Sequence, residues 1–392
     1  MFHFGSRQGS PAYGVILDIG SGSIGAAIVE SNPEQTLPTL IYGNQTSLRI
    51  SAEAHDIRRV REALLATALT LSQEGLAALR NHNPRAKITR ILVTCGSPWS
   101  YTIARNVSYE NDEPFKVTKN LIHDLAETAE EEIRTHIQES APFSGDFTVV
   151  ERATTDVAIN DYVVNEPVGK TGTICSLSHM IGLVPKELLE ALREVKDKLF
   201  PEAELAVHTY LLATYCVLRD LYPHTHAFTI IDVSGEATEF GVVENNLLSE
   251  NKSLSQGSST FIRGVMDETG SPASDIETLI ATEGKNHITE RAELEKQVKS
   301  YVASVMESVQ ALTEHRALPR DTIITAHHPY EQLFKDMIRL ALLEANKVEP
   351  NILAVEQNLL HEVLPHGTYS THIALSARFF HKLHSCGELE NE

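Results

Sequence analysis

The sequence predicts an α/β fold built twice, with a smaller α+β module inserted into its first half. Three observations predict it. Residues 13–30, YGVILDIGSGSIGAAIVE, run as an apolar strand, an acid (Asp18), a small-residue turn (Gly20, Ser21, Gly22, Ser23) and a return strand. The stretch AFTIIDVSGEATEFGVV repeats that plan with Asp232, Ser234, Gly235, Ala237 and Thr238, and Asp232 lies 214 positions after Asp18. A repeated strand–Asp–turn–strand unit is a fold-level signal, because chance rarely produces it twice. Between the copies, residues 113–203 read as helix, strand, strand, helix, enough for a small module of their own.

The turns carry chemistry. Gly20 and Gly22 let backbone approach a ligand closely, and free N–H groups with the Ser21 and Ser23 hydroxyls can donate to anionic oxygens. Asp18 can hold a water of a magnesium shell. Taken alone, the first copy reads more readily as a surface hairpin with a Gly/Ser turn than as a ligand site.

In chain order, residues 39–42 and 47–50 read as further strands, and residues 53–81 as a long helix with Val60, Leu64, Ala68, Leu71 and Leu76 at roughly helical spacing. Pro84 stops it. Residues 88–93 form a buried strand, and the alternating SYTIARNVSY a neighbouring one in the same α/β layer. Thr118 is a candidate N-cap for an acidic helix over 120–139. Residues 147–159 are extended, 161–172 a connector, 173–184 a strand, and Pro185 opens a helix to 200. Residues 204–221 are expected as one helix, then strands at 228–231, 240–243 and 247–254. Helices follow over 261–266, 274–283 and 290–312, the last with an apolar stripe from Leu294 to Leu312. A strand at 322–325, a helix over 329–345 and a closing helix over 370–384 complete the chain.

Composition narrows the function. The 392 residues hold 33 basic and 53 acidic side chains, a net charge of −20. That balance argues against nucleic acid or anionic lipid as main partner. No apolar run reaches the roughly 18 residues of a membrane span, and the first 14 residues lack a signal-peptide core. A cytoplasmic location is expected. The four cysteines (Cys95, Cys175, Cys216, Cys386) are scattered and fit buried thiols in a reducing compartment. Among eighteen histidines the pairs His224/His226 and His327/His328 have no convergent acid at helical spacing and read as solvated loop residues.

Duplicated phosphate hairpins with an Asp in each resemble the actin–Hsp70–sugar kinase superfamily, a ribonuclease H-like ATPase fold with two halves around a cleft. Within it the chain looks most like the bacterial FtsA and PilM branch. NDYVVNEPVGKTG followed by SHMIGLVP resembles the inserted SHS2 module of FtsA, ASDIETLIATEG its adenine-flanking helix, and TYSTHIALSARFF the closing helix of the actin core. The resemblance implies subdomain 1A over 13–112, completed by 204–225 and 366–384, and an SHS2 module over 113–203. It implies subdomain 2A over 226–261 and 319–365, with a helical 2B-like lobe over 262–318. By analogy the cleft holds ATP with Mg2+, contacted by Asp18, Gly20, Ser21, Ser23, Asp232, Gly235, Thr238, Glu277 and Ala326, with Asp18 and Asp232 on the metal side.

The chain departs from that pattern in places. Ala326, His327 and His328 stand where the family places a Gly-Gly pair, Ile280 replaces a lysine, and Glu236 adds a carboxylate beside the phosphates. AVHTYLLATYC offers no Gln or Glu to orient an attacking water. Two functions follow. One is an actin-like cytoplasmic scaffold that binds ATP and recruits a membrane-anchored division or pilus-assembly protein by its tail, with the SHS2 module as contact and self-association surface. The other is a nucleotide-free pseudo-ATPase with the same structural role. FtsA ends in a basic amphipathic membrane helix, whereas only the acidic SCGELENE follows the closing helix here, which favours recruitment by a partner, as in PilM, over direct membrane contact.

Overall fold

A computed structural model describes residues 10–50, 56–140, 146–164, 166–283, 292–313, 317–327, 329–355, 359–363 and 369–386. The first half opens with a three-strand antiparallel meander, β1 (Ala12–Ile19), β2 (Ser23–Ser31) and β3 (Thr39–Ser47). The expected long helix is two: α1 (Ile57–Thr70) and α2 (Leu76–His82), joined by a π-helical turn over Leu71–Gly75. The turn keeps both Leu71 and Gly75 buried against the meander. The expected start of this helix, 53–55, lies outside the described residues. Strand β4 (Ile88–Cys95) then pairs parallel to β1, setting Asp18 opposite Thr94.

The inserted module follows. Strand β5 (Tyr101–Lys116) does not join the first layer as its alternation suggested. It pairs antiparallel with β8 (Thr171–Pro185), which also pairs with β6 (Phe147–Ile159); β7 (Tyr162–Val163) edges the sheet. Alternation reports a half-buried strand but not its partner, and the sixteen-residue length of β5 suits the fifteen-residue β8. Helix α3 (Lys119–Ser140) covers this sheet, its Leu121 N–H donating to Thr118 Oγ1 as the capping reading requires. Helix α4 (Lys186–Leu199) leads back to the first half and packs on α1.

The second correction is at 204–221. The segment is a strand, β9 (Glu204–Thr209), followed by helix α5 (Tyr210–Leu221). ELAVHT alternates as well as it fits a helix, and the open edge of β4 decides for strand by offering a parallel partner.

The second half repeats the first. Strands β10 (Phe228–Val233), β11 (Thr238–Glu244) and β12 (Leu247–Leu254) form a meander. Helices α6 (Ser258–Thr269), α7 (Ala273–Glu283) and α8 (Glu295–Leu312) build the lobe. Strand β13 (Asp321–Ala326), α9 (Glu331–Asn346) and β14 (Asn351–Ile352) follow. The start expected for α8, at 290, lies outside the described residues. Short β15 (Glu362–Val363) returns to the edge of β3, and α10 (Thr371–Cys386) closes the chain. The five strands shared by both halves have one order: β3-β2-β1-β4-β9 in the first and β12-β11-β10-β13-β14 in the second. The duplication read from two Asp-turn motifs is therefore a duplication of whole sheets.

Both sheets are buried on two faces. Val15, Leu17 and Ile19 of β1 pack outward against α1 and α4, while Ile16 faces an inner core shared with Ile230, α5 and α10. In β10, Ile231 and Val233 face the helical lobe. Because side chains alternate along a strand, Asp18 and Asp232 share the faces of Ile16 and Ile230, toward the space between the sheets.

Candidate functional site

The two Asp-turns meet at the centre of the molecule. Gly22 and Gly235 touch backbone to backbone: a Cβ on Gly235 would lie 2.6 Å from the Gly22 nitrogen. Ser21 Oγ donates to Ser234 Oγ at 2.9 Å and accepts from the Glu236 N–H at 2.8 Å. Ser234 Oγ in turn donates to the Ser97 carbonyl at 2.7 Å, so the loop after β4 closes the same junction.

The remaining predicted donors are also engaged. Ser23 Oγ accepts from Gln45 Nε2 at 2.8 Å, and the Gly20 N–H donates to the Ser23 carbonyl at 3.0 Å. Thr238 Oγ1 donates to the Gln256 carbonyl and accepts from the Tyr301 hydroxyl, tying it to the lobe. Glu277 accepts from the Tyr330 hydroxyl at 3.0 Å, apart from the Asp pair. Ala326 is buried at the end of β13, and Ile280 is a core residue of the lobe. Glu236 does not face the cleft: it is buried in a bidentate pair with Arg263, and Thr260 adds a third bond.

Below the hairpins lies a buried polar cluster that the sequence reading only half located. Asp232 Oδ1 accepts from Thr325 Oγ1 and contacts His372 Nε2, each at 2.7 Å. Thr94 holds the matching position beside Asp18, at 3.5 Å from its Oδ1, and shares a hydrogen bond with Ser376 at 2.8 Å. His327 is not a solvated loop residue: it is 7% exposed and fills the cleft. His328 lies outside the described residues. The His327 ring stacks on that of His372 at 4.0 Å between centroids, and Tyr210 stacks on the other side of His372 at 4.9 Å. Gln45 and Ser23 hold the outer edge of His327 at 3.3 and 3.5 Å.

The electrostatics follow from burial. Burial pushes the Asp18 carboxyl up to about 6, partly offset by His372 and reinforced by Asp232. His327 is driven well below the usual histidine range by burial and then by His372. His372 feels the same burial, but the charge and hydrogen bond of Asp232, with Asp18 and Glu331, raise it. Burial, and then Asp232, push Glu239 up to about 8.

His372, Thr94, Thr325 and Tyr210 were not singled out from sequence. The two threonines had a signal: each occupies the register position beside the conspicuous Asp of its half. His372 had none, because it reaches Asp232 only through the docking of α10.

No protein-family model and no curated protein matches the sequence. Solved structures do. A PilM–PilN type IV pilus biogenesis complex matches at 12% identity and a TM-score of 0.58, over 94% of this chain and 98% of that one. This chain has the actin-like ATPase fold. The ethanolamine utilization protein EutJ of Carboxydothermus hydrogenoformans matches at 11% identity and a TM-score of 0.48, over 95% of this chain and 92% of that one. A Bacteroides thetaiotaomicron protein with actin-like ATPase fold and unknown function matches at 11% identity and 0.40, over 94% and 95%.

The actin-like fold implies a magnesium nucleotide between the hairpins, and the residues in this arrangement do not fit one. A phosphate chain needs the turn hydroxyls and space between the turns. Here Ser21 and Ser234 bond each other, Gly22 abuts Gly235, and His327 fills the floor. A cavity of about 430 Å³ lies apart from the hairpins, between the module and the edge strand β9. Val150, Leu212 and Phe379 line it with Arg90, Arg152 and His208.

Proposed function

We propose that the protein is an actin-fold scaffold that recruits a membrane-anchored partner and holds its shape without nucleotide. The direct contact between the two Asp-turns carries this reading, since it occupies the position a phosphate would take. The groove between β9 and the module supports a docking role for a partner's tail. It combines Val150, Leu212 and Phe379 with Arg90 and Arg152, which pair with Glu204 and Glu130, beside the edge strand β9, whose backbone groups can pair with an incoming segment. Among the described residues no helix is long and apolar enough to cross a membrane. The PilM neighbour makes a pilus-assembly partner the first to test and a division protein the second. Self-association would use the module, whose far end exposes Tyr109, Tyr162, Val163 and Val168.

Titration calorimetry with Mg-ATP tests the nucleotide half of the proposal. No heat and no change in thermal midpoint at millimolar nucleotide is expected, and stoichiometric binding overturns it. A photo-crosslinker at position 152 in intact cells tests the other half. Capture of one membrane-anchored protein, lost on Arg90→Glu, is expected; no capture overturns it.

A second reading keeps ATP with Mg2+ in a form whose hairpins have parted. The matched placement of Asp18 and Asp232 in the two sheets favours it. In that form the two acids face the metal, Gly20, Ser21, Ser23, Gly235 and Thr238 face the phosphates, and Glu277 and Ala326 line the nucleoside side.

A further inference from the structure

The polar cluster beneath the hairpins holds more ligand chemistry than a closed cleft requires. Asp18, His327 and His372 are all buried, and each offers a donor atom within 4.8 Å of the other two. They come from the end of β1, the loop after β13 and the first turn of α10, so the set spans both halves and the closing helix. Two of these side chains have a buried atom with no hydrogen-bond partner, Oδ2 of Asp18 and Nδ1 of His372. Such atoms are costly to bury, and each ordinarily has a partner of some kind.

The partnered atoms say what kind. His372 Nε2 lies 2.7 Å from Asp232 Oδ1, a contact that suits the neutral tautomer with the proton on Nε2, and in that tautomer Nδ1 carries the ring's lone pair. A carboxylate behind a histidine, with the other ring nitrogen facing forward, is the usual second shell of a metal-bound imidazole. One carboxylate with two imidazoles suits zinc and its neighbours, whereas magnesium prefers an all-oxygen shell.

We propose that Asp18, His327 and His372 bind one transition-metal ion of the zinc class, with Asp232 as the positioning residue behind His372. Ligands around such an ion stand roughly 3.4 Å apart, so binding draws in donor atoms now within 4.8 Å of one another and turns the His327 ring off its stack on His372. The ion would pin the two halves and α10 together beneath the touching hairpins. This goes beyond the scaffold reading and does not depend on what occupies the groove.

The test uses the full chain after chelator treatment, with Co2+ and Zn2+ as probes. Uptake of one equivalent of Co2+ with tetrahedral visible bands is expected, as is displacement by Zn2+ and a rise in thermal midpoint that Mg2+ does not reproduce. His327→Gln and Asp18→Asn should each lose at least about 100-fold in affinity, and Asp232→Asn about 10- to 100-fold, as second-shell changes do. Changing His224 and His226 to Gln together should leave uptake unchanged. X-ray absorption on the Co2+-loaded wild type, which needs no variant to fold, should show two imidazoles. Absent uptake, equal uptake by His327→Gln, or an all-oxygen shell overturns the proposal.

Discussion

Adding a single methyl group at Gly235 tests whether the hairpins touch. In Gly235→Ala the new Cβ would meet the Gly22 nitrogen at 2.6 Å and the Gly22 Cα and Ser21 carbonyl carbon at 2.7 Å. All three are backbone atoms, so no side chain can swing aside, and the turns must separate by most of an ångström. Overpacking of this kind costs about 1–3 kcal/mol. Separation also stretches the Ser21–Ser234 and Glu236–Ser21 hydrogen bonds, each contributing about 1 kcal/mol. The expected loss is about 2–4 kcal/mol. Trp99, the only tryptophan, is buried in the loop that accepts the Ser234 hydrogen bond, so its fluorescence reads this junction during urea unfolding. Gly96→Ala is the control, because a Cβ there meets nothing closer than 3.8 Å. If Gly235→Ala unfolds with the wild type and leaves the Trp99 spectrum unchanged, the hairpins are apart in solution and the closed-cleft reasoning fails.

Two further outcomes follow from buried carboxylates. Glu151 of the module accepts from the Thr209 N–H and Oγ1 at 2.9 and 2.8 Å and contacts His208 at 2.7 Å, gripping the start of α5. Glu151→Gln should cost about 2–4 kcal/mol, since bonds to charged groups contribute about 1.5–3 kcal/mol each, and speed hydrogen exchange at the first turn of α5. Unchanged exchange there would remove the grip. Glu239 has a folded pKa of about 8 against an ordinary 4.5, so the folded state holds its proton where the unfolded state has lost it. Stability should fall as pH rises from about 4.5 to about 8, by at most on the order of 5 kcal/mol, and level off above. Glu239→Gln should flatten that slope in urea titrations, and an unaltered slope would assign it to other groups.

The parts of the fold legible in the sequence were those that local physics decides. The Asp-turns, Thr118 at its helix start and the strand at Phe147–Ile159 follow from turn chemistry, capping and alternation within a few residues. What was not legible depends on partners far along the chain. ELAVHT became strand because the edge of β4 was open, and Tyr101–Lys116 joined the module because β8 matched its length. In the site, Asp18 and Asp232 were legible through repetition, which compares the sequence with itself. His327 reads as loop because a pair of histidines just before Pro329 looks like one, whereas the closing of two sheets over it makes it core.

The duplication supplies an internal comparison for that histidine. Gly96 follows β4 where His327 follows β13, and the strands before them are in matching register with Asp18 and Asp232. The two halves therefore differ at this point by one side chain, and His327→Gly makes them alike. Removing the ring empties the floor of the cleft and frees Gln45 and Ser23, but leaves Ser21 bonded to Ser234 and Gly22 against Gly235. Two closures act in series, so opening one is not enough. His327→Gly alone should lose stability by about 2–4 kcal/mol, in the range of other large-to-small core changes, and still give no thermal response to Mg-ATP. Combined with Gly235→Ala, which parts the hairpins, it should respond. A response in the single His327→Gly variant would show that the histidine is the whole barrier and that the hairpin contact yields freely to phosphate.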